Sequence, residues 1–276
     1  MALKSALINV MINAATKTAR RMVRDFGEVE QLQVSKKGPA DFVSTADLRA
    51  ERELKAELSR ARPTYGFLME ESGEQEGSDK AARWIVDPLD GTTNFLHGIP
   101  HFAISIAAEL NGEIVAGVIY DPIRDEIFWA EKGSGAYMNE RRLRVSARDK
   151  MPDAVFATGI PFLGREGHDS FLATLEAVMA EVAGIRRFGS AALDLAYVAA
   201  GRYEGFWESG LSLWDIAAGI IIVREAGGFV TDYKGGYEGL PTGQIIAAND
   251  RLHDPLRKLV LRADKAAAKA AAEAAS

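Results

Sequence analysis

Between Trp84 and Ile106 the chain reads WIVDPLDGTTNFLHGIPHFAISI, and no other stretch restricts its folding as strongly. Trp84, Ile85 and Val86 are large apolar neighbours, two of them β-branched, which predicts a buried strand with a covered backbone. Pro88 has no N–H to donate and a fixed φ, so the ladder is expected to end there. Asp87, the Leu89 carbonyl and Asp90 can then converge instead of alternating across a sheet, and such convergence is metal-ligand geometry. Gly91 lets the backbone approach a ligand, and Thr92-Thr93-Asn94 supplies small polar groups suited to a helix start, where free N–H groups attract an anion.

An isolated Asp-Gly would read better as an acidic turn with Asx-type capping. Here carboxylates, a carbonyl and free amides fall within six residues, the donor set that a hard cation plus a phosphate requires. An EF-hand loop would want a glutamate eleven residues after Asp87, where Gly98 stands. The aspartyl-nucleophile phosphatases use Asp-x-Asp, and Asp87 and Asp90 are one residue further apart.

The run Asp87-Pro88-Leu89-Asp90-Gly91-Thr92-Thr93-Asn94-Phe95 resembles the first signature of the inositol monophosphatase family. Trp214-Asp215-Ile216-Ala217-Ala218-Gly219, followed by Glu225-Ala226-Gly227-Gly228, is similar to the second. Matching features run from about Lys36 to about Asn249.

A chain of 276 residues, 47% of them hydrophobic, can bury a substantial core as one large domain or two small ones. A formal net charge of -6 offers no basic footprint for nucleic acid and suits an acidic metal site. Without cysteine there is neither a disulfide framework nor a thiolate zinc site. His97 and His101 are four apart, but Gly98 and Pro100 stand between them and oppose a helical ligand pair. No apolar run reaches the roughly 20 residues of a membrane span. Ala6 to Ala15 imitates a signal peptide, yet Asn9 and Asn13 interrupt it. Leu3, Leu7, Val10, Met11, Ala14, Met22 and Phe26 fall near one helical face, so the expectation is an amphipathic first helix and a cytoplasmic protein.

After that helix, Ser35-Lys36-Lys37 and Gly38-Pro39 predict a loop or hairpin. Ser44 or Thr45 can cap a second helix with the stripe Leu48, Leu54, Leu58 and Ala61, and Asp47 can partner its dipole. Tyr65 to Met69 reads as a strand ending at Glu70-Glu71, two carboxylates that alone would be solvated loop charge; Gly73 to Ala82 reads as a surface loop. Phe102 to Leu110 and Glu113 to Tyr120 are joined by Asn111-Gly112, a strong hairpin signal, and sheet continues through Ile127 to Trp129 and Ala136 to Met138. From Met151 strand and helix alternate: Ala154 to Thr158, Ser170 to Val182, Arg186 to Phe188, Ala191 to Ala200. Asp215 opens an almost continuously apolar helix and by itself would pass for an N-terminal cap. This divides the chain into an α+β half over 1–150, an α/β half over 151–262 and an Ala-rich tail over 263–276, the last expected to fray.

The resemblance implies more. It implies a layered α-β-α-β-α sandwich of the sugar-phosphatase type, usually a homodimer, and Mg²⁺-dependent hydrolysis of a small phosphorylated polyol, myo-inositol 1-phosphate foremost, with sensitivity to Li⁺. By family analogy Glu70, Asp87 and the Leu89 carbonyl hold one metal, and Asp87, Asp90 and Asp215 hold another. Glu70 with Thr92 activates water, Asp47 supports Thr92, and Lys36 lies in a loop near the metals. Gly91 and Thr92 hold phosphate; Gly189, Ser190, Ala191, Glu208 and Asp215 complete the substrate site. Relatives also act on fructose 1,6-bisphosphate, a nucleotide 3′-phosphate or histidinol phosphate, and some bacterial ones are thought to partner the transcription machinery.

Overall fold

In a computed structural model, residues 4–28, 34–38 and 41–274 are described. The chain opens with α1 (Ala6–Gly27), a hairpin of β1 (Val34–Gly38) and β2 (Asp41–Ser44), and α2 (Thr45–Ala61). Pro39 of the expected hairpin turn and Leu3 of the expected helical stripe lie outside the described residues. Ser44 caps α2 in a reciprocal box with Asp47, while Leu54 and Leu58 are buried. Leu48 is 45% exposed and so does not belong to the stripe assigned to it.

The larger sheet contains β3 (Tyr65–Met69), β4 (Gly73–Gln75), β5 (Asp79–Asp90), β6 (Ala103–Leu110), β7 (Glu113–Asp121), β8 (Glu126–Glu131), β9 (Gly135–Met138) and β10 (Arg141–Arg142), in the spatial order β10-β9-β8-β7-β6-β5-β3-β4. All neighbours are antiparallel except β3 and β5. Asn111 and Gly112 turn between β6 and β7 with φ of 53° and 77°, the conformation that a two-residue hairpin demands. The segment expected as a loop at 73–82 is partly strand, because β4 and the start of β5 satisfy their backbone groups against β3.

The second sheet follows with β11 (Val155–Thr158), α4 (His168–Met179), β12 (Gly184–Arg186), α5 (Ala191–Ala199), β13 (Gly205–Glu208), α6 (Leu213–Glu225), β14 (Phe229–Thr231), β15 (Ile245–Ala248) and α7 (His253–Ala274). Its order is β12-β11-β13-β15-β14, with β12, β11 and β13 parallel. The strand expected at 186–188 sits two residues earlier, where Gly184 to Arg186 pair with Val155 to Ala157.

Strands with no polar alternation need cover on both faces, and the packing supplies it. Trp84 and Val86 point into a core shared with Met11 of α1 and Leu54 of α2, while Ile85 between them joins Leu195 of α5 and Ile220 of α6. Ala247 of β15 reaches the same middle core, and Ile246 beside it packs with Leu256 and Val260 of α7. The result is an α-β-α-β-α sandwich: α1 and α2, the larger sheet, α5 and α6, the smaller sheet, then α4 and α7. The Ala-rich tail, expected to fray, is helical over its described residues. It continues α7 to Ala274, because a helix already docked through Leu256 and Val260 needs no new nucleus and alanine propagates it.

Candidate active site

Parallel pairing of β3 with β5 sets Met69 against Val86, so Glu70 and Asp87 leave adjacent strand ends. The Glu70 amide still donates to the Val86 carbonyl at 3.3 Å. Glu51 of α2, a buried acid, accepts from the amides of Glu71 and Ser72 at 2.9 and 3.4 Å and fixes the turn that carries Glu70.

Pro88 does not end the ladder as expected. Asp87 pairs with Ser105 and Asp90 with Ala103, so β5 carries one extra residue between these points, a bulge that tolerates a proline. Inside the bulge the Leu89 amide donates to Asp87 Oδ1 at 2.9 Å. Gly91 follows at φ 95°, and a Cβ there would stand 3.1 Å from the His101 carbonyl, so glycine alone fits before α3 (Thr92–Leu96). The Thr92 hydroxyl lies 3.0 Å from both Asp47 Oδ1 and the Leu89 carbonyl. Asp47 is fully buried, its other oxygen accepting from the Ser44 amide and hydroxyl.

The second half of the chain supplies the facing wall. Ser190 caps α5, and its hydroxyl and the Ala192 amide both donate to Asp90 Oδ2. Asn94 Nδ2 donates to the carbonyls of His101 and Phe188 at 2.8 and 2.7 Å, tying α3 to the segment that leads into Gly189 and Ser190. Glu208 ends β13, and Asp215 stands in the first turn of α6 with Oδ2 accepting from the Ser212 amide at 2.6 Å. Glu70, Asp90, Gly91, Thr92, Gly189, Ser190, Ala191, Glu208 and Asp215 all line one cleft of about 200 Å³. Asp87, Leu89 and Asp47 are buried. The side chain of Lys36 lies outside the described residues.

Burial pushes the Asp87 carboxyl well above the usual carboxylate range, and the charges of Glu70, Asp90 and Asp215 push the same way. Burial lifts Asp90 to about 6 against the pull of its hydrogen bonds from Ser190 and Ala192. Asp215 rises to about 8 through burial and the Asp90 charge, and Glu208 to about 8 through burial and the charges of Asp215 and Asp90. Asp47 is raised by burial, with the hydrogen bonds from Ser44 and Thr92 opposing it. Carboxyls that raise one another's proton affinity are short of positive charge. Among the described residues no three acidic or histidine side chains are already drawn to a metal-binding arrangement, which agrees with the local hydrogen bonds that Asp87, Asp90 and Asp215 each make. An all-oxygen set of this kind fits a hard divalent cation.

A profile described as the inositol monophosphatase family matches residues 3–266. The chain is 62% identical over 257 residues to a Mesorhizobium japonicum protein called inositol-1-monophosphatase, spanning 93% of this chain and 97% of that one. The chain belongs to the inositol monophosphatase family. It is therefore a phosphatase, a hydrolase of phosphate monoesters. Within the family its fold is similar to the crystal structure of extragenic suppressor protein suhB from Bartonella henselae, with a TM-score of 0.91, 62% identity and coverage of 93% of this chain and 98% of that one. A Pseudomonas aeruginosa relative called Nus factor SuhB is 45% identical over 249 residues, 89% of this chain and 92% of that one.

The family signatures left several cleft residues unread. Gly159, Arg165, Arg187 and Asp194 also line the cleft. A Cβ on Gly159 would overlap the Glu208 carboxyl, so this glycine makes the room in which Glu208 sits. Gly159 directly follows β11, and a glycine at a strand end was the only signal for it.

Proposed function

We propose that the chain hydrolyses the phosphate ester of myo-inositol 1-phosphate, releasing inositol and phosphate by direct attack of water. The observation that carries this reading is the Thr92 hydroxyl, held 3.0 Å from the buried Asp47 carboxylate at the edge of a cleft that Glu70, Asp90 and Asp215 also line. Glu70, Asp87, the Leu89 carbonyl, Asp90 and Asp215 would hold Mg²⁺, whose chemistry is to neutralise phosphate charge and acidify water. With its hydrogen directed to Asp47 or to the Leu89 carbonyl, Thr92 Oγ1 turns a lone pair to the cleft and accepts a hydrogen from the attacking water; Glu70 takes the proton that the water loses, and the inositol oxygen, as its bond to phosphorus breaks, takes up a proton from solvent. The Gly91 and Thr92 amides face the phosphate. Glu208 and the Gly189-Ser190-Ala191 segment receive the polyol hydroxyls. Thr92 itself has no strong base to make it a nucleophile, so transfer is direct and no phospho-enzyme forms.

A phosphate-release assay over a panel that includes myo-inositol 1-phosphate, fructose 1,6-bisphosphate, a nucleotide 3′-phosphate and histidinol phosphate tests the reading. Turnover of the inositol ester should vanish in excess chelator and return with Mg²⁺, and roughly tens of millimolar Li⁺, a weakly held hard cation, should inhibit it. Full activity in chelator, or a trapped phosphorylated Asp87 or Asp90, would overturn it. A homodimer in the cytoplasm completes the reading, with light scattering and cell fractionation as its measurements. The likeness to proteins called Nus factor favours a second role as a partner of the transcription machinery. Affinity capture with the Mg²⁺-loaded protein as bait should then recover RNA polymerase components.

A further inference from the structure

The helix α5 is buried along its whole length and is built from alanine, leucine, valine and tyrosine, with one acid among them. That acid, Asp194, is 1% exposed, and among the described residues its Oδ1 has no hydrogen-bond partner. Buried polar atoms are nearly always paired, since leaving one unpaired costs about 1–3 kcal/mol. The local structure does not use the carboxyl. Ser190 already caps the helix through its hydroxyl, and the Asp194 amide makes an ordinary helical bond to the Ser190 carbonyl at 3.0 Å. Asp194 lines the same cleft as Glu208 and Asp215, and it lies close enough to Glu208 and Asp90 to feel their charge.

We infer that Asp194 is a specificity-determining residue of the polyol site, its carboxyl accepting a hydroxyl of the substrate beside the one that Glu208 receives. This rests on the polyol-phosphate reading above. The recognition does not depend on the charge of the carboxyl, because a carbonyl-type oxygen accepts an O–H in either protonation state. A sugar or cyclitol hydroxyl supplies the uncharged O–H donor that such an oxygen accepts. Acceptors on two segments, α5 and β13, suit two hydroxyls of one ring. The site would thus select esters whose alcohol carries neighbouring free hydroxyls over simple alkyl or aryl phosphates.

The test compares myo-inositol 1-phosphate with p-nitrophenyl phosphate, which has no hydroxyl to read, in the Mg²⁺-supplied enzyme. Selectivity is the ratio of the two kcat/KM values. Asp194→Ala should lower this ratio by about tenfold or more, the loss of one buried hydrogen bond to substrate. Asp194→Asn keeps an amide oxygen at the same place and should hold the ratio within about threefold. Neither variant should lower Tm, because the side chain makes no bond in the free protein that its removal would break. An equal loss on both substrates overturns the inference and makes Asp194 a packing residue, as does a large drop in Tm for Asp194→Asn. A raised Mg²⁺ requirement with an unchanged ratio also overturns it, assigning the carboxyl to a cation. If the wild-type enzyme shows no preference for the inositol ester, the polyol reading fails and this inference with it; a preference untouched by Asp194→Ala sinks this inference alone.

Discussion

The Thr92 hydroxyl has a single hydrogen and two acceptors at 3.0 Å, Asp47 Oδ1 and the Leu89 carbonyl, so its hydrogen points inward whichever it chooses. On the proposed mechanism, Thr92→Ala removes the lone pair that would orient water but leaves the backbone amides. The expectation is a loss in kcat on the order of 10², as for a misplaced general-base system, with KM within about threefold. Full kcat in Thr92→Ala would remove Thr92 from the mechanism. Gly159 makes a second test at this scale. Because a Cβ there would overlap Glu208, Gly159→Ala should push the carboxyl aside and cost roughly tenfold in kcat/KM on the inositol ester, with Tm little changed since Glu208 borders an open cleft. Wild-type kinetics in that variant would mean that Glu208 places no substrate. Asp87, Asp90, Thr92 and Asp215 could be read from the sequence because their neighbours in the chain form long signatures. Gly159, Glu51 and Asp194 could not, because each draws its meaning from a partner far away in sequence: Glu208, the Glu71 amide, and the cleft itself.

At the scale of elements, the site depends on how two loops are held together. Asn94 opens no chemistry of its own, yet its amide bridges the His101 and Phe188 carbonyls and so binds the start of α3 to the entry of α5. Asn94→Ala leaves buried carbonyls without a donor, at about 1–3 kcal/mol, and for a chain of this size that lowers Tm by about 2–4 °C per kcal/mol. It should also raise KM, since Gly189 to Ala191 move with Phe188; an unaltered Tm and KM would show that α5 is positioned by Ser190 and Asp90 alone. Strands with strong apolar runs, such as β3, β6 and β7, were legible because burial on a sheet face dictates their composition. The bulge in β5 was not, because proline forbids only the donor at its own position, and β6 decides whether pairing resumes beyond it at Asp90 and Ala103. The tail shows the same dependence on context: its lack of large apolar residues predicts fraying only if nothing upstream has already docked the helix.

For the whole molecule, the balance of charge in the cleft sets how stability follows pH. In the metal-free protein Asp215 and Glu208 hold their protons up to about 8, whereas the unfolded chain releases them near the ordinary values of 3.8 and 4.5. The folded state therefore binds more protons than the unfolded one between these limits. The stabilisation is complete below the unfolded values and is lost as pH rises through the folded ones. Two buried histidines act in the opposite sense. His101 is pushed down to about 4 and His253 is lowered, both by burial, so they add stability as pH rises towards the ordinary histidine value of 6.5. The carboxylates lowered by exposed ion pairs, such as Glu57 and Asp254, titrate below their ordinary values of 4.5 and 3.8 in the folded chain and around them in the unfolded one, so their contribution is complete well before pH 7. Above about pH 7 only the cleft carboxyls remain to titrate among these groups, which makes about pH 7 to 8.5 the diagnostic window. There the metal-free Tm should fall with pH. Saturating Mg²⁺ should flatten or reverse that slope, because a cation that binds the ionised carboxylates stabilises the folded state by an amount that grows as their protons leave. Differential scanning fluorimetry at several pH values, in chelator and in Mg²⁺, measures both slopes. Identical slopes in the two conditions would mean that the carboxylates facing the cleft do not share a cation, and a metal-free Tm that rises across the window would mean that they are not the groups that hold protons there.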